Sequence, residues 1–159
     1  MPKSASADDA AESSASALID ASALIALLGG EPAAGEVQEL LNRGAAMTTL
    51  NLAEAIDRLE RRYDVQVGRA RSVIEGLLSK SLELLPLGSA QAWRAGEIRA
   101  AYYHRSRCPL SLADAVLVAS APADGRIASS DGLLLTVAAS EGIATVALPD
   151  SKGRRARPR

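Results

Sequence analysis

The chain is poor in the residue types that define several common classes of protein. Its 159 residues include no Phe, one Cys and one His, and aromatic residues make up 3%. A single thiol, Cys108, excludes an internal disulfide and a multi-cysteine zinc site, which favours a reducing compartment. Few bases could stack on so few aromatic rings. Because no apolar run reaches membrane-spanning length either, we expect a cytoplasmic protein outside the membrane.

The motifs of several phosphate-handling α/β proteins are also absent. The sequence contains neither GxxxxGK[ST] nor GxGxxG. A phosphoaspartate hydrolase would have a second Asp two positions after Asp20, where Ser22 stands instead. A receiver-like module would have a Lys near the late strands, but the only lysines are Lys3, Lys80 and Lys152. These classes are therefore minor alternatives.

The composition is that of one soluble globular domain with distinct ends. Hydrophobic residues make up 48%, charged residues 23%, and the net charge is -1. Residues 1–16 are small and polar, which predicts a flexible leader before a domain at 17–150. Residues 151–159 form a basic tail, which acts either as a solvated end or as an arm that holds nucleic acid. Its cations are Lys152, Arg154, Arg155, Arg157 and Arg159.

Short apolar runs alternate with longer amphipathic stretches from residue 17 onward. This pattern predicts an α/β fold with a mostly parallel sheet and helices on both faces. We predict strands at 17–20, 46–50, 82–85, 126–129 and 144–147, and helices at 22–28, 35–42, 51–63, 67–79, 90–105, 111–121 and 132–140.

Four carboxylates fall at the carboxyl ends of the predicted strands, where function concentrates in open parallel sheets. Such a cluster would repel itself unless a cation were bound. Mg²⁺ and Mn²⁺ prefer oxygen ligands and can activate a water against a phosphodiester. The sequence therefore predicts a metal-dependent hydrolase of a nucleic-acid backbone. Its acids are Asp20, Glu54, Asp114 and Asp131.

Each acid also has a structural interpretation. Glu54 and Asp114 each follow a potential N-cap, Asn51 or Ser111, by three residues, as in a capping box. Asp131 could itself cap the following helix. Asp20 is harder to explain in this way, because it directly follows an apolar run.

These segments together resemble the PIN-domain family, and within it the VapC-type toxins of bacterial toxin–antitoxin pairs. The matching stretches are LIDASALIALL, NLAEAIDRL, LSLADAVLVASA and IASSDGLLLTVAASEGIATVALPDS, in family order from about residue 17 to residue 151. The resemblance implies a three-layer α/β/α fold, metal-dependent endoribonuclease activity with Mg²⁺ or Mn²⁺, homodimerisation, and inhibition by a small VapB-type antitoxin.

The resemblance also assigns roles to individual residues. Asp20, Glu54 and Asp114 correspond to the principal acids, and Asp131 assists the metal site. Ser22 and Ser129 are supporting hydroxyls, with Ser129 at a position where the family often has Thr. Asn51 either bonds within the acidic site or caps its helix, and we favour the cap.

The remaining polar and aromatic residues have simpler interpretations. His104 is expected on a helix, at the surface or partly buried, rather than as a base. Trp93, Tyr102 and Tyr103 are expected on one helix, in packing or a dimer contact. Two alternatives to a toxin stay open: a housekeeping RNA-processing nuclease, and a catalytically silent binding module.

Overall fold

The computed structural model describes residues 17–157. The leader predicted for residues 1–16 and the last two residues of the basic tail lie outside that range. Strands and helices alternate as the hydrophobic pattern predicts. In chain order they are β1 (Ala17–Ile19), α1 (Ala21–Gly29), α2 (Ala34–Asn42), β2 (Ala45–Thr48), α3 (Thr49–Tyr63), α4 (Val67–Leu78), β3 (Leu82–Leu85), α5 (Ser89–Tyr102), α6 (Leu112–Ser120), β4 (Arg126–Ser129), α7 (Gly132–Ser140) and β5 (Ala144–Ala147).

The five strands form one parallel sheet in the order β3-β2-β1-β4-β5. From β1 the chain moves outward through β2 and β3, and it then returns to place β4 on the other side of β1. The strand order therefore reverses between β1 and β4. Loops that leave adjacent strands in opposite directions open a crevice at the carboxyl ends, which is the usual binding position in open α/β sheets.

The sheet separates two apolar cores, because side chains alternate between its faces. Ile19, Met47 and Ala128 pack with α1 to α4, whereas Leu18 and Ile127 pack with α5 to α7. Most of these strand residues are almost fully buried, so their continuous apolar character is that of a sheet covered on both sides. The three-layer α/β/α prediction is confirmed.

Two predicted helix boundaries are wrong by two residues or more. Helix α3 begins at Thr49 rather than Asn51, because the Thr48 side chain accepts the backbone N–H of Asn51 and caps the helix. The predicted N-cap role of Asn51 is therefore incorrect. Helix α5 ends at Tyr102, because His104 and Cys108 exchange two backbone hydrogen bonds and close a turn. His104 consequently lies outside the helix, exposed, where its Nδ1 accepts from the backbone of Ser106.

The basic segment after Asp150 lies against the domain as far as the structure describes it. Arg155 donates to both carboxylate oxygens of Glu36 and to the carbonyl of Ala147. Arg154 pairs with Asp150, and the side chain of Ala156 packs against the core beneath α5 to α7. Part of the positive charge is therefore neutralised locally. Within residues 17–157, no helix is both long and apolar enough to cross a membrane.

Candidate functional site

Asp20 lies at the centre of the carboxyl edge, directly after the middle strand β1. The residue is 4% exposed, and its side chain accepts the backbone N–H of Ala23 at 2.9 Å, so it caps α1. It also accepts hydrogen bonds from the hydroxyls of Ser22 at 2.8 Å and Ser129 at 2.6 Å. Asp20 therefore has a structural role as an N-cap, which the sequence did not predict. The hydroxyls of Ser22 and Ser129, predicted as supporting groups, both contact it.

Two serines at the end of β4 extend this network toward the next helix. The Ser129 hydroxyl accepts the backbone N–H of Asp131 at 2.9 Å, and Ser130 donates to Ser22 at 3.1 Å. Because β4 pairs with β1 in parallel, these serines lie beside Asp20. The β1 and β4 ends are therefore joined by hydroxyl hydrogen bonds.

Asp131 is the N-cap of α7. Its Oδ1 accepts the backbone N–H groups of Leu133 at 2.8 Å and Leu134 at 3.4 Å. The residue as a whole is exposed. Its carboxylate therefore stands at the mouth of the crevice, with Oδ2 making none of these capping bonds.

Glu54 and Asp114 come from two helices that pack against each other, α3 and α6. Ser111 caps α6 by accepting the backbone N–H of Asp114 at 3.0 Å, as the capping-box pattern predicts. Glu54 lies in the second turn of α3 and accepts from the Arg58 guanidinium at 2.6 Å. A cation of the chain itself therefore already contacts one of the four acids.

Asn51 is completely buried at the start of α3. Its Oδ1 accepts the hydroxyl of Thr48 at 2.6 Å. Within the described part of the chain, its Nδ2 has no hydrogen-bond partner. A buried donor without a partner is unfavourable by about 1–3 kcal/mol, so this amide marks a place where an acceptor is missing.

The acids stand close enough to influence one another. Burial raises the pKa of Asp20, and the charge of Asp131 raises it further. Burial, together with the charges of Asp20 and Asp131, raises the pKa of Asp114 to about 6. Burial also raises the pKa of Glu54, with Arg58 opposing and Asp114 reinforcing the shift. All four predicted acids are thus brought together at one edge.

The donor chemistry of this cluster fits a divalent cation, although the side chains are not arranged as a finished cage. Within residues 17–157, no group of three His, Cys, Asp or Glu side chains stands close enough to hold a metal ion. The hydrogen bonds explain this, because Asp20 is held by two serines and Glu54 by Arg58. All available donors are oxygens, which Mg²⁺ and Mn²⁺ prefer, and a cation would relieve the unfavourable ionisation of the buried acids.

Three residues at this edge were not predicted from the sequence: Thr48, Arg58 and Ser130. The spacing of Glu54 and Arg58, four residues apart on one helix, is a signal that could have identified their ion pair. Ser130 contacts Ser22 across 108 positions, and only the strand order brings them together.

The aromatic residues predicted for one helix are distributed differently. Trp93 is 79% exposed on α5. Tyr102, the last residue of α5, donates to Glu141 at 2.8 Å. Tyr103 lies just beyond the helix, with the Arg99 guanidinium 4.4 Å from the centre of its ring. None of these contacts involves the four acids.

Solved structures with similar folds include several toxins and toxin–antitoxin complexes. A sarcin-ricin-loop-cleaving VapC toxin of Mycobacterium tuberculosis is 19% identical, with a TM-score of 0.61 over 82% of this chain and 98% of that one. A DNA-bound VapBC complex from Salmonella typhimurium is 19% identical, with a TM-score of 0.59 over 83% of this chain and 97% of that one. A toxin–antitoxin complex from Klebsiella pneumoniae is 21% identical, with a TM-score of 0.57 over 76% of this chain and 90% of that one.

At such low identity these likenesses describe the fold alone. No curated protein sequence matches this chain significantly. The family model of the PIN domain matches residues 17–156.

Proposed function

Because the chain belongs to the PIN-domain family, we propose that it is a metal-dependent endoribonuclease and the toxin of a VapBC-type toxin–antitoxin pair. The observation that carries the proposal is the electrostatic coupling of Asp20, Glu54, Asp114 and Asp131. The four acids come from separate places in the sequence, and their proximity makes ionisation unfavourable. A functional requirement would explain why they lie together. Isolated helix caps would not require the carboxylates to lie close enough to raise one another's pKa values.

Asp20, Glu54 and Asp114 would hold the cation, with Asp131 assisting from the mouth of the crevice. When bound, Mg²⁺ or Mn²⁺ supplies a water of lowered pKa and neutralises charge on the leaving oxygen of a phosphodiester. Asp20 would have to exchange some of its hydrogen bonds for this purpose, because Ser22 and Ser129 donate to its oxygens, whereas Arg58 bonds only to Oε1 of Glu54.

The neighbouring polar groups would keep the acids in position. Ser129 donates to Asp20 and accepts from the backbone of Asp131, so one hydroxyl links two of the acids. Ser22 supports Asp20 from α1. The unpartnered Nδ2 of Asn51 would donate to an oxygen or a water at the site. Asn51 would then have the role within the acidic site that was the alternative to a helix cap.

The partner part of the proposal rests on the names of the structural neighbours. A toxin–antitoxin complex from Klebsiella pneumoniae shares this fold, and so do VapBC structures from Salmonella typhimurium and Rickettsia felis. We therefore propose a small VapB-type antitoxin as a partner and, from the family resemblance, a homodimer. An inhibitor that placed an arginine among the acids would satisfy the carboxylates.

Cleavage of total RNA by the purified protein tests the enzymatic proposal. Wild type, Glu54→Gln and Asp57→Asn are each incubated with Mg²⁺, with Mn²⁺ and with EDTA. Asp57 is the matched control, because it lies on the same helix but pairs with Arg61 instead. We expect discrete fragments from wild type and Asp57→Asn with metal, and none from Glu54→Gln or with EDTA.

Thermal unfolding with and without metal separates the alternatives. Metal should raise the melting temperature of wild type more than that of Glu54→Gln. No cleavage and no metal effect would favour the silent binding module. Cleavage without growth arrest on expression, or without a cognate antitoxin encoded beside the gene, would favour the RNA-processing nuclease.

A further inference from the structure

A narrow polar cleft opens beside the acidic cluster, between α1, α3 and the segment after β5. It has a volume of about 190 Å³, and Ser22, Ser130, Arg58 and Arg62 contribute to its walls. Two of these residues connect it with the acids, because Ser22 donates to Asp20 and Arg58 donates to Glu54. The cleft is thus a continuation of the acidic edge, with the opposite charge on one wall.

That wall is a single stripe of helix α3. Glu54, Arg58 and Arg62 are spaced four residues apart, so they follow one face of the helix. The stripe runs from the acidic cluster to two guanidinium groups one and two turns farther along. A chain of phosphates bound at the acids would meet these cations next.

The two arginines differ in how they are already used. Arg58 bonds to Glu54 through Nη2 alone, which leaves most of its five N–H donors for another acceptor. Arg62 is exposed and makes no ion pair with any residue in the 17–157 range. Its charge is therefore available to an anion in the cleft.

Two acids also line the cleft, but each has a partner. Glu31 accepts the hydroxyl of Tyr63 at 2.9 Å. Asp150 accepts the backbone N–H groups of Lys152 and Arg154 at 2.9 Å and pairs with the Arg154 side chain. The negative charge of Asp150 is compensated by Arg154, and Glu31 accepts only from a neutral hydroxyl, whereas the positive charge of Arg62 has no ion-pair partner among residues 17–157.

We propose that Arg58 and Arg62 bind the backbone phosphates of a single-stranded RNA that flanks the bond held at the acidic cluster. This inference rests on the proposed function. Arg62 acts as a positioning residue, because it holds the substrate without reaching the reacting atoms. Arg58 both positions Glu54 and contacts the RNA. The row of Glu54, Arg58 and Arg62 on α3 therefore sets the direction in which the RNA leaves the acidic cluster.

The test compares neighbouring arginines on the same helix. Arg62→Gln removes the unpaired cation of the cleft, and Arg61→Gln makes the same charge change one residue away. Arg61 is ion-paired with Asp57 at 2.8 Å and does not line the cleft, so it is the matched control. Both side chains are exposed, so neither variant should change the melting temperature noticeably.

Binding is measured in EDTA, so that no strand is cut, by fluorescence anisotropy of a short labelled single-stranded RNA at several salt concentrations. We expect Arg62→Gln to weaken binding about five- to tenfold and to reduce the salt slope by about 0.7, the value for one phosphate contact with a single strand. Arg61→Gln should stay within about twofold of wild type. In cleavage assays with metal, Arg62→Gln should raise KM and leave kcat close to wild type.

Equal effects of Arg62→Gln and Arg61→Gln would overturn the inference. If wild type still cuts RNA in that case, only the cleft assignment fails and the proposed nuclease stands. If wild type neither binds nor cuts RNA, both fail. Poly-glutamate that binds as tightly as RNA, with the same loss in Arg62→Gln, would identify a general polyanion site and overturn the assignment to RNA.

Discussion

The acidic edge has two halves that are built in different ways. In the half formed by β1 and β4, the acids themselves cap helices: Asp20 caps α1 and Asp131 caps α7. In the half formed by α3 and α6, hydroxyl residues cap the helices, Thr48 for α3 and Ser111 for α6. The acids of this second half, Glu54 and Asp114, are not N-caps, although Asp114 lies in the first turn of α6 beside its cap Ser111.

This difference separates structural from functional requirements. An acid that caps a helix contributes to folding whatever its chemistry, so its presence alone is weak evidence for a site. Neither Glu54 nor Asp114 is the N-cap of its helix, and burial makes their ionised forms unfavourable. The α3 and α6 half is therefore where a functional requirement is most evident, and substitutions there should affect activity more than stability.

The largest effect is expected for Asp114→Asn. Loss of a residue that supports a metal ligand typically lowers activity about 10- to 100-fold, so loss of a ligand itself should lower RNA cleavage about 100-fold or more. The same change should stabilise the metal-free protein by roughly 1–2 kcal/mol at pH 8, because Asn does not have to ionise in a buried position.

The direction of the pH dependence follows from the raised pKa of Asp114, which lies at about 6. Because the folded state disfavours the charged carboxylate, the penalty is absent below the ordinary pKa and complete above the raised one. Urea unfolding in EDTA at pH 4 and pH 8 measures it. A stability gain that is equal at both pH values, or cleavage at the wild-type rate, would contradict the distinction between the two halves.

The next largest effect is expected for Asp20→Ala, in the half where acids cap helices. This change removes the cap of α1 and leaves the buried hydroxyl of Ser129 without its acceptor. Together these losses should lower the free energy of unfolding by about 2–4 kcal/mol, whereas Asp20→Asn should retain most of it. Urea titrations of both variants in EDTA at pH 4, where the raised pKa of Asp20 adds little ionisation penalty, provide the measurement. Equal stability of the two variants would show that the cap contributes little.

A smaller effect is expected for Ser111→Ala, which removes a cap but no acid. The loss of one N-cap should lower the free energy of unfolding by about 1 kcal/mol. Cleavage should stay close to the wild-type rate, because the Asp114 carboxylate remains. A large loss of cleavage without a loss of stability would show that Ser111 acts in the site. It would contradict the distinction between capping residues and acids in this half.

The smallest effect is expected for an ion pair that involves none of the four acids. Glu36 and Glu54 each pair with an arginine, but Arg155 lowers the pKa of Glu36 whereas burial raises that of Glu54. The Glu36–Arg155 pair should therefore add stability above the ordinary pKa of Glu36 and lose it as the pH falls through the lowered one. The effect should be slight because both side chains are exposed.

Unfolding of wild type and Glu36→Gln between pH 3 and pH 7 measures this contribution. We expect a slightly weaker pH dependence in the variant. A stronger one would reverse the assigned sign.

The local elements could be predicted from the sequence because they depend on short-range patterns. The strands 82–85, 126–129 and 144–147 and the helix 132–140 were predicted with the bounds that the structure shows. The cap of α3 was missed because Thr48 and Asn51 are both good capping residues, and only the end of β2 decides between them. The ends of helices can be predicted only to within one or two residues.

Contacts between distant segments could not be predicted. The strand order places Ser129 beside Asp20, 109 positions away, and the pairing of Glu36 with Arg155 spans 119 positions. Periodicity contains no information about such distances. The convergence of the four acids was predicted only from the rule that parallel strands share a carboxyl edge.

The burial of α6 has a consequence for how this chain tolerates mutation. Around Asp114, the side chains of Ala113, Ala115, Val116, Leu117 and Val118 are all buried. A random substitution in α6 is therefore expected to unfold the protein more often than to remove its activity alone. In a selection for inactive variants, we expect the buried positions of α6 to yield mostly misfolded chains, and Asp114 to yield folded chains that lack the proposed activity.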